Sequence, residues 1–228
     1  MIEIRGLRVA YGNQTIIENM NAVWADTGIY GIAGLNGAGK TTLFHTLSGM
    51  KKPAAGSILY HHKDLHKNQV FLLETSPYFY PNITGKEYLS LFTRTRNNYD
   101  EKQLMELMQL PLGDLTENYS TGMKKKLAIM AMLKKDKAVY LLDEPFNGLD
   151  LESNHVLEVI LQVLKERGST LFVASHILDP LLRICDGIHI LESGTFSNYF
   201  LKPQFSEVAP ALFGNLTEKA RAVIENSL

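Results

Sequence analysis

Gly34-Leu35-Asn36-Gly37-Ala38-Gly39-Lys40-Thr41 sets four residues between two glycines and follows the second with lysine and threonine. Between a strand and a helix, that spacing builds a loop for phosphate. Backbone N–H groups can wrap phosphate oxygens only where the chain takes positive φ and approaches closely, and glycine permits both. The backbone from Gly34 through Asn36, Gly37, Ala38 and Gly39 to Thr41 and Thr42 is therefore expected to cradle a nucleoside triphosphate. Lys40 is expected to reach its β- and γ-phosphates, and the Thr41 hydroxyl to ligate Mg²⁺. A helix beginning at Lys40 adds the partial positive charge of its N-terminus.

About a hundred residues later, Val139-Tyr140-Leu141-Leu142-Asp143-Glu144-Pro145 reads as a buried strand ending in two carboxylates. Ligands of parallel sheets bind at such carboxyl ends. Asp143 is placed to hold Mg²⁺, usually through water, and Glu144 to accept a proton from an attacking water. Taken singly, each segment has a plain alternative: a glycine-rich turn, or surface acids at a strand exit.

These groups need a scaffold. Ile2 to Val9 alternates apolar and polar residues, and a second strand-like run from Thr15 to Trp24 follows, which predicts an antiparallel opening. Ile29 begins a strand that enters the glycine loop. Beyond it, Leu43, Leu47 and Met50 fall at helical spacing on one face. From about residue 84 to 135 the pattern becomes helical, over Lys86 to Arg94, Glu101 to Gln109 and Met123 to Lys134, punctuated by Pro81, Pro111 and Gly113. VYLLD, LFVAS and IHILE then alternate with helical patterns from Leu151 to Glu166 and from Ile177 to Ile184. Alternating strands and helices predict an α/β fold with a largely parallel sheet covered on both faces. Residues 203–228 read as a packed terminal extension, with Phe205, Val208, Leu212, Phe213, Val223 and Ile224 as its apolar residues. The expected division is one domain over 1–200, with the helical subdomain inserted at about 84–135 and an extension over 201–228.

Lys and Arg number 23 against 24 Asp and Glu, so the net charge offers no general attraction to nucleic acid, and no nucleic-acid partner is expected. The only cysteine, Cys185, excludes an internal disulfide framework and reads as a small core residue. The N-terminus has no secretory apolar segment, so the chain is expected to stay where it is made. The longest apolar candidate, Leu127 to Leu142, is cut by Lys134, Lys135, Asp136 and Lys137, so membrane work is expected to come through a partner.

Five further elements resemble, in order and spacing, the nucleotide-binding domain of the ATP-binding cassette (ABC) family. Tyr11 lies where that family stacks an aromatic on adenine. Tyr119-Ser120-Thr121-Gly122-Met123 stands in place of the signature Leu-Ser-Gly-Gly-Gln, matching at Ser120 and Gly122 alone. Asn147-Gly148-Leu149-Asp150 resembles the D-loop, and His176 the switch histidine. Glu74 stands where the family has a glutamine, and a carboxylate there could still ligate Mg²⁺ through water. The resemblance implies a P-loop NTPase with an antiparallel N-terminal β subdomain and an inserted helical subdomain. It also implies ATP and Mg²⁺ as ligands, and a head-to-tail homodimer in which Ser120 and Gly122 contact the other subunit's nucleotide. Asp150 is carried over as a nucleotide-site residue. His176 would contact the γ-phosphate.

Glu74, the segment Tyr78 to Gly85 and the Tyr-Ser-x-Gly-Met signature resemble bacterial bacitracin- and lantibiotic-resistance exporter subunits and related ABC-2 systems. That implies ATP hydrolysis on the cytoplasmic face of the membrane, coupled to separately encoded permease subunits and directed to export. The alternatives are a soluble ABC-type ATPase acting on ribosomes or DNA, and a low-turnover regulatory subunit. In the family, the aromatic segment holding Tyr78, Phe79, Tyr80 and Tyr88 forms a groove for the membrane subunit; Leu91 and Phe92 are expected in the core. Lys124, Lys125 and Lys126 oppose the dipole of their helix. At least one is expected to face nucleotide phosphate or acidic groups across the dimer, unless all three are simply solvated.

Overall fold

The computed structural model describes residues 1–225 and 227, residue 215 by its backbone alone. Strands β1 (Ile2–Tyr11) and β2 (Gln14–Trp24) form a hairpin whose register pairs Ile2 with Trp24 and Val9 with Ile17. Their alternation buries Ile2, Ile4, Leu7 and Val9 on one face. β3 (Gly28–Ala33) is buried at every position and leads through the glycine loop into α1 (Lys40–Leu47). β4 (Ala55–Tyr60) and β5 (Lys63–Asp64) return to the hairpin, completing an antiparallel sheet of order β2-β1-β4-β5.

β6 (Val70–Leu73) enters a second sheet and is followed by α2 (Gly85–Ser90), α3 (Glu101–Met108) and α4 (Thr121–Leu133). The chain then runs through β7 (Val139–Asp143), α5 (Leu151–Glu166), β8 (Thr170–Ser175) and α6 (Leu178–Ile184). It finishes with β9 (Gly187–Glu192), β10 (Thr195–Leu201) and α7 (Val208–Glu225). The six strands lie in the order β10-β9-β3-β8-β7-β6, parallel except for β10 against β9. β3, β7 and β8 are buried throughout, as unbroken apolar runs in a sheet covered on both faces should be. One core lies between the two sheets and α1, around Trp24, Phe44 and Phe172; the other packs α4, α5 and α6 on the opposite face.

Register positions the chemistry. Ala33 lies opposite Ser175, and Asp143 opposite Ala174, so β3, β7 and β8 end together at one edge of the sheet. The loop into α1, the carboxylates after β7 and the residues after β8 must therefore meet there.

Several expectations are corrected. α1 ends at Leu47, and Met50, at 64% exposure, belongs to the turn beyond it rather than to the helix face. Leu91 caps the end of α2 and is 56% exposed, whereas Phe92 does pack against the core. Cys185 is fully buried. The extension is packed only at its start, through Val208, Leu212 and Phe213; α7 then continues outward, leaving Val223 and Ile224 exposed. Residues 226 and 228 of the expected extension lie outside the described residues. Among the described residues, no helix is long and apolar enough to cross a membrane.

Candidate active site

Gly39 takes φ 108° as it turns the loop into α1, a conformation that a side chain would strain. The helix thus begins at Lys40, whose buried ammonium curls back over the loop. It donates to the carbonyls of Gly34 at 2.7 Å and Leu35 at 3.3 Å, and lies 3.6 Å from Glu144 Oε1. Thr41 Oγ1 donates to Asp143 Oδ2 at 2.6 Å, joining the two residues read as metal ligands. The other carboxylate oxygen, Asp143 Oδ1, is buried and has no partner among the described residues.

Glu144 is the first residue beyond β7 and takes φ 47°. For a residue with a Cβ, this left-handed conformation costs about 1–2 kcal/mol. The backbone is held there by its N–H, which donates to the Ala174 carbonyl at 2.9 Å, and by Asn147 N–H, which donates to the Glu144 carbonyl at 3.3 Å. Its carboxylate accepts from Ser175 Oγ at 3.2 Å and from the His176 backbone N–H at 3.1 Å. His176 Nδ1 lies 2.9 Å from Glu144 Oε1 but off the line a hydrogen bond requires. The carboxylate is therefore oriented on both oxygens while remaining at the cleft surface.

The cleft encloses about 470 Å³ and is lined by Asn36, Gly37, Gly39, Lys40, Thr41 and Thr42 on one side and by Asp143, Glu144 and His176 on the other. Asn147 and Thr75 also line it. The sequence motifs single out neither as a site residue, although Asn147 stands inside the D-loop motif and Thr75 directly follows Glu74. Gly34 and Ala38 stay in the loop itself, where Gly34 accepts from Lys40 and Ala38 N–H donates to the Leu35 carbonyl.

Other expected residues lie apart. Glu74 turns away from the cleft: its carboxylate faces His45 Nε2 at 3.5 Å and lines a separate aromatic cavity with Tyr78, Tyr80 and Tyr88. In the same loop, Lys125 Nζ donates to the carbonyls of Glu74 and Thr75, and Thr75 lines the cleft. Tyr11 is 47% exposed at the end of β1, with Lys51 Nζ 4.3 Å from its ring centroid.

Ser120 caps α4, accepting from Met123 N–H at 3.2 Å, and Asp150 caps α5, accepting from Ser153 N–H at 2.8 Å. Both are outside the cleft lining. Gly122 packs so closely on the D-loop that a Cβ would stand 2.7 Å from the Gly148 carbonyl oxygen. Of the three lysines, Lys125 points inward within its own chain, and Lys126 lies 4.0 Å from Asp150.

A glycine loop at the start of a helix, facing a strand-end Asp-Glu pair across a parallel sheet, defines a P-loop nucleoside triphosphatase. Within that class, the family described as ABC transporter matches residues 17–147. The bacitracin transport ATP-binding protein of Bacillus licheniformis is 32% identical over 85% of this chain and 67% of its own length. The lantibiotic transport ATP-binding protein of Streptococcus pyogenes is 30% identical over 97% of this chain and 100% of its own. A dimeric ATP-binding cassette in a post-hydrolysis state with ADP and phosphate superposes with a TM-score of 0.78 at 18% identity, covering 89% of this chain and 99% of its own. This chain belongs to the ABC transporter family and is an ATP-binding subunit of the transport ATPase type.

Proposed function

We propose that the chain hydrolyses Mg²⁺-ATP as a head-to-tail homodimer on the cytoplasmic face of the membrane, driving export through separately encoded permease subunits. The observation that carries the reading is the convergence of Lys40, Thr41, Asp143 and Glu144 in one cleft, with Ser120 and Gly122 outside it. A second copy supplying Ser120 and Gly122 from the N-terminus of its α4 would complete the lining. Transport is supported by the two transport relatives, and dimerisation by the dimeric cassette of the same fold.

The donors fit Mg²⁺. Thr41 Oγ1 and Asp143 are hard oxygen ligands, and Asp143 Oδ1 is a buried acceptor without a protein donor. Magnesium held by them would offset charge on the transferring phosphoryl group. Glu74 would join that set only through water and a turn of its side chain. Lys40 neutralises phosphate charge from the loop side. Glu144 takes the proton of the attacking water, with Ser175 Oγ and the His176 N–H fixing the plane of its carboxylate. His176 and the neighbouring Asn147 face the same space, where the γ-phosphate is expected. Tyr11 stacks on the base, and Asp150 contributes from the D-loop side of the dimer interface.

The test is an affinity pull-down of the Glu144→Gln form with Mg²⁺-ATP from detergent-solubilised membranes of the native cell. Recovery of a multi-spanning membrane protein is expected. Recovery of ribosomal or DNA-associated proteins instead would overturn the transport reading.

A further inference from the structure

Lys125 is 2% exposed, one turn into α4, on the face that also carries Gly122, Ala128, Ile129 and Met132. Among the described residues, no carboxylate pairs with its ammonium. It donates instead to the carbonyls of Thr75 at 2.7 Å, Glu74 at 3.3 Å and Glu144 at 3.4 Å. Burial pulls its pKa down to about 8, against the opposing pull of Asp143 and Glu144. An ammonium is an expensive group to desolvate, and a methionine would fill the same space without that cost. The acceptors indicate what is gained. Two belong to the loop after β6 and one to the turn after β7, both segments lining the cleft, and the lysine itself belongs to the helix whose first turn carries Ser120 and Gly122.

We propose that Lys125 is a positioning residue for hydrolysis, fixing the backbone of Glu144 and of the Glu74–Thr75 loop to the N-terminal turn of α4. This rests on the reading in which Glu144 handles the attacking water and α4 faces the nucleotide of a second copy. A displacement of α4 then moves Glu144 directly, because the ammonium ties the helix to the Glu144 carbonyl through one hydrogen bond. Gly122 against Gly148 and Lys126 near Asp150 tie the same turn to the D-loop, so the partner-facing end of the helix and the chain's own carboxylate form one braced unit. Lys125 touches no reacting atom; its effect runs through the main chain of Glu144.

The experiment compares the parent chain with Lys125→Met, an unbranched chain one atom shorter and without donors, and Lys125→Gln, of similar reach to methionine but keeping two donors. Steady-state Mg²⁺-ATP hydrolysis gives kcat and KM, equilibrium binding of a fluorescent ATP analogue gives affinity, and urea denaturation reports folding. Lys125→Met is expected to lower kcat by about tenfold or more, the scale of a misplaced reacting group, while nucleotide affinity stays within about threefold. Lys125→Gln is expected to fall between the two, at least about threefold below the parent. If Lys125→Met does not fold, Lys125→Gln decides alone. Parental kcat in either folded variant, a loss confined to nucleotide affinity, or failure of both variants to fold overturns the proposal. The parent is assayed first: absence of hydrolysis there sinks the ATPase reading, whereas parental hydrolysis with unaffected variants sinks only the role of Lys125.

Discussion

His189 on β9 is buried among aromatic rings, 4.2 Å from Tyr199, 4.4 Å from Phe196 and 5.3 Å from Trp24 by centroid. Neither of its ring nitrogens has a partner among the described residues. Burial drives its pKa from 6.5 down to about 4. Between those values the unfolded chain binds a proton that the folded chain refuses, so stability falls as pH drops from 6.5 toward 4 and then levels off. At 1.36 kcal/mol per unit, the loss reaches about 2 kcal/mol at pH 5 and about 3 kcal/mol at pH 4. Faces of Tyr199 and Phe196 would partly stabilise an imidazolium, by about 1 kcal/mol. Desolvation still wins: that gain acts only on the protonated folded form, scarce at pH 5, so the loss there stays about 2 kcal/mol. His189→Phe removes the titrating group and the two unpaired nitrogens while keeping a flat ring. Urea denaturation of both proteins at pH 7.5, 6, 5 and 4.5 measures the difference directly. The variant is expected to gain on the parent progressively below pH 6.5. Parallel stability curves over this range would refute the reasoning, since every other titrating group is common to both chains.

Glu144→Gln removes the proton acceptor while leaving an oxygen for Ser175 and His176, and is expected to lower kcat by about 10²–10⁴-fold with ATP binding retained, measured by phosphate release and by nucleotide trapping. Parental turnover would exclude Glu144 as the base. Tyr11→Ala removes a stacking platform and is expected to weaken ATP binding by about 1–3 kcal/mol, read by isothermal titration against a Tyr11→Phe control that stays near the parent. Gly122→Ala puts a Cβ 2.7 Å from the Gly148 oxygen in the isolated chain. A stability loss of about 1–3 kcal/mol in urea is therefore expected even without nucleotide.

The phosphate loop, the Asp-Glu strand end and most element boundaries were legible because few residue types satisfy their chemistry. Gly39 must supply φ 108°, and β7 must be apolar until the carboxylates emerge. What escaped depends on contacts remote in sequence. Glu74 directly follows β6 as expected, but its carboxylate meets His45, twenty-nine positions away, rather than the cleft. The lysine triplet reads as a partner for phosphate or acids across the dimer, or as solvated charge, because nothing local announces that Lys125 meets three backbone carbonyls of its own chain. His189 sits in an apparently ordinary strand, IHILE, and becomes unusual only when Trp24 and β10 close over it. Leu91 and Met50 had helical spacing, but spacing assigns a face only while the helix lasts.

The same distinction explains how the cleft is organised. Residues expected to touch nucleotide in the chain's own site come from strand ends and one loop, where parallel register aligns β3, β7 and β8. Residues expected to touch a second copy's nucleotide come from the start of α4, a helix in another layer. Along the chain the two sets are joined only through the length of α4 and β7, so local coordination between them passes through side chains and close backbone contacts. The structure offers three such links within one turn: Lys125 to Glu144, Gly122 to Gly148, and Lys126 near Asp150. Only the first reaches the residue assigned to proton transfer. A helix that binds a partner's phosphate could adjust chemistry in its own cleft through that ammonium, whereas the D-loop contacts act one turn further from the carboxylate.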